Sequence, residues 1–261
     1  MLQMFVLSLS LYNTIEFKVS FFYAKSRTCS FIADNKKAVD DISLNVKSGE
    51  IHAFIGHNGA GKTTTIRAVV GVMDFEKGEI FIDGHSVKAE PVKCKSLTAY
   101  IPDNPDLYDY ITGIQYLNYI CDMFSVSKKD REEQIQKLAE LFKITDSLGD
   151  LISSYSHGMK QKLALIGAFI HKPKLLVFDE PFVGLDPEAA FHLKNLMKEA
   201  CQNGSAIFFS THVLEVAEKI CDTVSIIKSG HLIANGTMEE INIVVQLSRH
   251  KFNLFIMNRY M

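Results

Sequence analysis

The sequence lacks several features that mark particular classes of protein. Its five cysteines are dispersed and include no C-x-x-C pair, which favours reduced thiols in a cytosolic protein over a disulfide framework or a zinc site. No apolar run reaches the roughly 18 residues that a membrane-spanning helix needs. The net charge is −2 with no long basic run, so nucleic acid is not expected as the main partner. The remaining composition, 261 residues of which 47% are hydrophobic, fits one large or two small globular domains.

Residues 56–63 are the most informative segment of the chain. They match the phosphate-binding loop pattern G-x-x-x-x-G-K-[ST]. Glycines permit the backbone angles that point N–H groups at a phosphate, and the N-terminus of a following helix adds unpaired N–H groups. The lysine supplies positive charge, and the threonine hydroxyl can ligate Mg²⁺. The pattern predicts a site for a nucleoside triphosphate and Mg²⁺ at Gly56, His57, Asn58, Gly59, Ala60, Gly61, Lys62, Thr63 and Thr64.

Apolar periodicity predicts an α/β chain around this loop. A helical period from 113 to 143 interrupts the α/β pattern, and further helices are expected at 187–201 and 212–220. Short apolar runs separated by helices indicate a mainly parallel sheet that is covered on both faces. Strands are expected at 15–21, 39–46, 50–55, 78–84, 97–101, 175–178, 206–209 and 224–227.

A second motif consists of four apolar residues at 175–178 followed by Asp179 and Glu180. In a phosphate-loop enzyme, a buried strand that ends in Asp places its carboxylate beside the loop, where it holds Mg²⁺, often through water. Glu180 is then positioned to orient and polarise the attacking water. A strand ended by a solvated pair of acids is the common alternative, and the upstream phosphate loop favours the metal-site interpretation.

The order of five motifs resembles the ATP-binding subunit of ABC transporters. The phosphate loop is followed by residues 155–162, 175–181, 184–187 and 210–212, and the resemblance covers roughly residues 31–240. Residues 155–162 read Tyr-Ser-His-Gly-Met-Lys-Gln-Lys. This segment, here called the signature segment, is similar to the L-S-G-G-Q signature in the form of bacterial ABC-2-type exporters. Most phosphate-loop families have no such segment between their two nucleotide motifs.

The resemblance implies roles for four further residues. Ser156 and Gly158 would contact the γ-phosphate of ATP bound by the opposite subunit. Asp186 would be the D-loop aspartate that couples two composite sites. His212 would be the switch histidine that contacts the γ-phosphate and positions Glu180 and water. Ser156 and Asp186 also have the simpler interpretation of helix N-caps, and for Asp186 both interpretations can hold.

Two positions depart from the family pattern. Asp103 stands where the family usually has a glutamine that ligates Mg²⁺ and senses the transporter. An aspartate can still bind Mg²⁺ or water, but it is shorter and charged. His157 and Met159 replace the glycine and glutamine of the common signature. Slow or asymmetric hydrolysis is therefore an open alternative.

The adenine-stacking aromatic of the family falls near Phe31, before residues 38–42. Stacking of an aromatic ring on a base tolerates many sequences. Phe22 and Tyr23 are alternatives, and a place in the core is equally consistent with each of the three.

The resemblance implies a P-loop NTPase of ABC type, in the α/β class. We expect a mainly parallel core sheet with flanking helices, an N-terminal antiparallel β region and an inserted helical subdomain, here also called the helical lobe, at about 105–160 of a domain spanning 31–240. Residues 1–30 and 241–261 are expected to be atypical extensions. Residues 1–11 are apolar but lack a leading positive cluster and a cleavage site, so strand or disorder is expected rather than a signal peptide.

The function that the resemblance implies is hydrolysis of Mg²⁺-ATP in a head-to-tail dimer, homomeric or heteromeric, at the cytoplasmic face of the membrane. The dimer would drive transport, in the export direction, through a separate permease that docks between the helical lobe and the core, near Asp103. Two alternatives stay open. One is a soluble ABC ATPase acting on DNA or ribosomes, and the other is a non-hydrolysing regulatory subunit, to which Asp103 and His157 point. The transported substrate is not encoded visibly in this chain.

Overall fold

The computed structural model describes residues 16–25 and 37–241, and these residues include two sheets and the seven α-helices named below. Phe31 and most of the two predicted extensions lie outside the described residues, and the side chains are described from residue 38 onward. In chain order the elements are β1 (Glu16–Lys25), β2 (Lys37–Lys47), β3 (Ile51–Ile55), α1 (Lys62–Val69), β4 (Lys77–Ile82), β5 (His85–Ser86), α2 (Pro91–Leu97), β6 (Thr98–Ile101), α3 (Gly113–Met123), α4 (Lys128–Leu141), α5 (His157–Ile170), β7 (Leu175–Asp179), α6 (Pro187–Gln202), β8 (Ala206–Thr211), α7 (Leu214–Ile220), β9 (Thr223–Lys228) and β10 (His231–Thr237).

The larger sheet has six strands in the order β10-β9-β3-β8-β7-β6. All neighbouring pairs are parallel except β10 and β9. Strands β3, β7 and β8 are buried along their whole length, as expected for a parallel sheet covered on both faces. The register pairs Ile55 with Thr211 and Asp179 with Ser210, so the C-terminal ends of β3, β8 and β7 lie side by side. The predicted α/β class with a mainly parallel core is confirmed.

The smaller sheet is antiparallel, in the order β2-β1-β4-β5. The expected strands at 39–46 and 50–55 therefore belong to different sheets, although only a short turn joins them. Gly49 has φ +77° in this turn, a conformation that favours glycine. Its N–H donates to the carbonyl of Ser205 at 2.9 Å, which attaches the turn to the larger sheet.

The helical period from 113 to 143 is divided between two helices. Helix α3 begins with a capping box between Thr112 and Gln115, and α4 begins after Ser127, whose hydroxyl accepts from the Asp130 N–H. Ser125 has φ +55° between the two helices, which interrupts a continuous helix. Both α3 and α4 pack against α5.

Two hydrophobic clusters cover the two faces of the larger sheet. Successive side chains of β3 point to opposite faces of the sheet. One cluster therefore contains Ile51, Ala53 and Ile55, and the other contains Phe54. The first cluster also contains the buried faces of α3, α4, α5 and α6, and the second contains that of α1. Within the described part of the chain, no helix combines the length and apolar character needed to cross a bilayer.

Four elements differ clearly from the sequence expectation. Helix α2 and the strands β5 and β10 were not expected, and α7 begins at Leu214 rather than at residue 212. The Val213 N–H donates to the Thr211 hydroxyl at 3.1 Å. This bond holds residues 211–213 in a turn, which delays the start of the helix.

Candidate functional site

The phosphate loop, residues 56–63, connects the buried end of β3 to the start of α1. Gly59 and Gly61 have φ of +78° and +114°. A Cβ on Gly61 would lie 2.8 Å from the Ala38 carbonyl, and one on Gly56 would lie 2.6 Å from the Ile227 carbonyl. The loop therefore needs glycine for both conformation and space. Gly61 is the N-cap of α1 and contributes no side-chain cap, so the first N–H groups of α1 are available to an anion.

Lys62 lies inside this loop with only 6% of its side chain exposed. Its ammonium donates to the carbonyls of Gly56 at 2.7 Å and His57 at 3.4 Å. The same ammonium lies 3.4 Å from Oε1 of Glu180. A positive charge is thus held at the position where the loop pattern places the phosphates.

Asp179 is the last residue of β7 and is 1% exposed. Its Oδ1 accepts from the Ser210 hydroxyl at 2.5 Å, while its buried Oδ2 has no hydrogen-bond partner among the described residues. A buried carboxylate oxygen without a partner is costly unless another group pairs with it. Oxygen ligands are those that Mg²⁺ prefers, so Oδ2 fits a role at a magnesium ion or at one of its waters.

Glu180 follows directly, with φ +51°, a conformation that costs a non-glycine residue about 1 kcal/mol or more. Its N–H donates to the Ser210 hydroxyl at 3.0 Å, which stabilises this turn. Its Oε2 lies 3.0 Å from Nδ1 of His212 and its Oε1 lies near Lys62. The strained backbone therefore turns the carboxylate towards both the phosphate loop and the residue that follows β8.

These contacts bring four of the predicted residues together: Lys62, Asp179, Glu180 and His212. They meet because β3, β8 and β7 are adjacent and parallel, so their C-terminal ends share one edge of the sheet. Thr63 and Thr64 lie in the first turn of α1 at the same edge. Ser210 was not predicted, because its place beside the two acids depends on the pairing of β7 with β8.

The predicted signature and D-loop residues lie at the starts of two other helices. Ser156 caps α5 by accepting from the Met159 N–H at 3.2 Å, and Asp186 caps α6 by accepting from the Ala189 N–H at 2.8 Å. A Cβ on Gly158 would lie 2.9 Å from the carbonyl of Gly184. Among residues 38–241, no hydrogen bond or ion pair joins Ser156 to the phosphate loop of its own chain.

Asp186 also forms an ion pair with Lys162, with 2.7 Å between Nζ and Oδ2. The hydrogen bond from Lys162, followed by that from the Ala189 N–H, lowers the pKa of Asp186 to about 2. Asp186 therefore stays ionised at any physiological pH, as both of its contacts require.

Asp103 is exposed on the loop that follows β6, and its Oδ1 accepts from the N–H of Asn104 at 2.9 Å. Within the described part of the chain, no group of three or more His, Cys, Asp or Glu side chains converges to hold a metal ion. The structure thus does not bring Asp103 and Asp179 into one such group, and the assignment of Asp103 to Mg²⁺ stays a prediction. The assignment of Phe31 to the adenine lies outside the described residues.

A groove of about 420 Å³ adjoins Asp103, between the core sheet and the helical lobe. Its lining is mainly apolar and includes exposed side chains of Val72 and Met123. Tyr100 lies at its core side, where burial and then the charge of Asp179 raise the pKa of its hydroxyl. The groove therefore reaches a residue that is close to the candidate metal site.

Comparisons with known proteins identify a family model and relatives that match this chain. The protein-family model described as ABC transporter matches residues 39–183. The uncharacterized ABC transporter ATP-binding protein YhcH of Bacillus subtilis (strain 168) is 39% identical over 209 residues, which is 78% of this chain and 67% of that protein.

Two solved structures have the same fold. One, described as the ATP-binding subunit of an ABC transporter, has a TM-score of 0.83 and 33% identity, covering 90% of this chain and 94% of that one. The other is a dimeric post-hydrolysis state of the ATP-binding cassette MJ0796 bound to ADP and Pi. It has a TM-score of 0.77 and 18% identity and covers 85% of this chain and 98% of that one.

Proposed function

The chain belongs to the ABC transporter family as an ATP-binding, ATP-hydrolysing subunit, and from that premise we propose that it drives export through a separate membrane permease. We propose further that it works as a head-to-tail dimer that requires Mg²⁺ and lies at the cytoplasmic face of the membrane through its permease. The domain division at 31–240, with a helical subdomain at about 105–160, is part of the same proposal.

One observation supports the hydrolytic part most strongly: Glu180 contacts both Lys62 and His212, and it shares Ser210 with Asp179. Lys62 would hold the β- and γ-phosphates, after its ammonium leaves the carbonyls of its own loop. Glu180 would orient the attacking water and take its proton, with His212 holding the carboxylate in place.

Thr63 and Asp179 are the residues that would hold Mg²⁺, and the unpartnered Oδ2 of Asp179 fits that role. Magnesium, when bound, would neutralise developing charge on the phosphates. The first N–H groups of α1 add positive potential at the same place, because the macrodipole of the helix has its positive end there.

The dimer is proposed because the signature segment does not reach the phosphate loop of its own chain. Ser156 and Gly158 begin α5, where unpaired N–H groups suit a phosphate supplied by another subunit. MJ0796, which has the same fold, is described as a dimer bound to ADP and Pi.

The permease is proposed to occupy the groove beside Asp103. The exposed valine and methionine at its rim suit an apolar helix face, and the exposed Asp103 and Asp106 suit basic residues beside that face. Affinity purification of the full chain from detergent-extracted membranes is expected to bring a polytopic membrane protein with it.

A charge placed in the groove tests this docking directly. Val72 lines the groove and is 63% exposed, so Val72→Asp puts a carboxylate in an apolar contact without disturbing the core. Val92 is 80% exposed and does not line the groove, so Val92→Asp is the matched control. We expect Val72→Asp to lose the membrane protein while retaining ATP binding. Equal recovery with both variants would exclude the groove as the docking site.

A further inference from the structure

The start of α5 is packed tightly against residues 181–186, here called the D-loop segment. A Cβ on Gly184, whose φ is +79°, would lie 2.7 Å from Cδ2 of His157. A Cβ on Gly158 would lie 2.9 Å from the Gly184 carbonyl. The two backbones approach this closely because both positions are glycine. His157 therefore occupies space beside the D-loop segment that any residue but glycine at 184 would fill.

Two further contacts follow one turn along the same face of α5. The buried Gln161 donates from Nε2 to the Pro181 carbonyl at 3.4 Å. Lys162, 17% exposed, places its Nζ 2.7 Å from Oδ2 of Asp186. The spacing of residues 157, 158, 161 and 162 is i, i+1, i+4 and i+5. These four positions therefore lie on one face of α5. The D-loop segment is thus contacted at its first, fourth and last residues.

We propose that Lys162 is a positioning residue whose ion pair with Asp186 fixes the D-loop segment on the signature helix, so that both move as one body when the dimer closes. This proposal rests on the head-to-tail dimer proposed above. Both segments would face the other subunit, and neither contributes to the binding of phosphate in its own chain. Lys162 acts through Asp186 and does not itself contact the nucleotide.

The physical advantage is preorganisation. Two segments held in register lose less conformational freedom on closure than two that move independently, which favours the closed state without adding a contact. Without Lys162, Asp186 still caps α6 through the Ala189 N–H, so the helix remains intact. Only the connection between the two segments is weakened. The expected loss therefore falls on dimer closure and not on the binding of ATP to a single chain.

The test uses the full chain in the Glu180→Gln background, in which ATP is expected to accumulate the closed dimer. Lys162→Met removes the charge and keeps the length of the side chain, and Lys162→Arg restores a cation. Lys143→Met is the matched control because Lys143 pairs with Glu188 of α6 at the same 2.7 Å. ATP affinity of the single chain is measured with a fluorescent ATP analogue, and closure by sedimentation with Mg²⁺-ATP.

We expect Lys162→Met to weaken closure about tenfold, the loss typical of one charge-assisted hydrogen bond, with unchanged affinity for the analogue. Lys162→Arg and Lys143→Met are expected to close like the parent. Equal closure by the parent and Lys162→Met would contradict the positioning role but not the proposed dimer. A loss of ATP affinity and thermal stability in Lys162→Met that parallels its loss of closure would do the same. A parent that stays monomeric with ATP contradicts the proposed dimer, and this inference with it.

Discussion

Ser210 shows how much of the site depends on one residue that binds no substrate. Its hydroxyl donates to Oδ1 of Asp179 and accepts from the N–H of Glu180. It therefore fixes both the side chain of the candidate metal ligand and the strained backbone of the candidate base. Because Ser210 is fully buried, no water can replace these bonds without rearrangement.

We expect Ser210→Ala to lower kcat about tenfold to a hundredfold, as loss of a residue behind a metal ligand typically does. It is also expected to lose about 1–2 kcal/mol of the free energy of unfolding. Ser205→Ala is the control, because Ser205 is also buried and donates to the Pro173 carbonyl at 2.7 Å, away from the site. Steady-state ATPase assays and urea unfolding measure the two effects.

The control is expected to lose similar stability and to keep its kcat. If both variants lose activity in proportion to stability, Ser210 has no specific role in the site.

Helix α5 connects the parts of the molecule at the scale of elements. Its first turns contact the D-loop segment, and Lys160 pairs with Asp109 at 2.6 Å on the loop beside the groove. Its last turn ends at His171, whose ring stacks on Phe124 of the helical lobe with 3.7 Å between centroids. One helix therefore contacts the candidate docking groove, the helical lobe and the candidate dimer surface.

The C-terminal end of α5 gives this fold a dependence on pH. His171 pairs Nδ1 with the Gly167 carbonyl, and its buried Nε2 has no hydrogen-bond partner among the described residues. Burial lowers the pKa of His171 from 6.5 to about 4. The unfolded chain therefore binds one more proton than the folded chain between these values. Stability from this group is complete above about pH 6.5 and is lost as the pH falls to about 4.

We expect the wild-type free energy of unfolding to fall by up to about 3 kcal/mol more than that of His171→Phe between these two pH values. Phenylalanine keeps the stacking on Phe124 and cannot bind a proton. His171→Gln, which keeps a donor for the Gly167 carbonyl, is expected to show the same flatter profile. Denaturant unfolding at a series of pH values measures this, and parallel profiles for all three proteins would contradict the assignment.

Elements buried on both faces were predictable because most of their residues are apolar. Strands β3, β7 and β8 were expected within one or two residues of where they lie. Strand β10 was not expected, because it is an edge strand in which no residue is fully buried. The assignment of β2 and β3 to different sheets depends on pairing with β1 and β8, which no local pattern encodes.

Some features of the candidate site could be predicted from the sequence, and others could not. The phosphate loop and the pair Asp179 and Glu180 are contiguous in sequence, so pattern and flanking residues could indicate them. The contact of Lys62 with Glu180, the role of Ser210 and the pairing of Lys162 with Asp186 join segments that are far apart in the chain. Such contacts follow from the strand order and could not be predicted from one sequence.

At the scale of the whole molecule, the larger sheet brings the phosphate loop, the two acids and His212 to one edge, and the helical lobe forms a groove near that edge. Tyr100 lies between the two, close to Asp179 on one side and lining the groove on the other. An occupant of the groove is therefore placed to influence the site through Tyr100. We propose that the occupant of the groove is coupled to ATP hydrolysis at this edge.

The measurement that tests this account most directly is Mg²⁺-ATP hydrolysis by the detergent-extracted complex purified through this chain. Glu180→Gln keeps the size of the side chain and removes the carboxylate base. Glu199→Gln is the control, because Glu199 is exposed on α6 and, among the described residues, its carboxylate pairs only with Lys137. We predict that Glu180→Gln lowers kcat at least about a hundredfold, and that Glu199→Gln does not. Equal turnover in the wild type and Glu180→Gln, with ATP bound by both, would contradict the account.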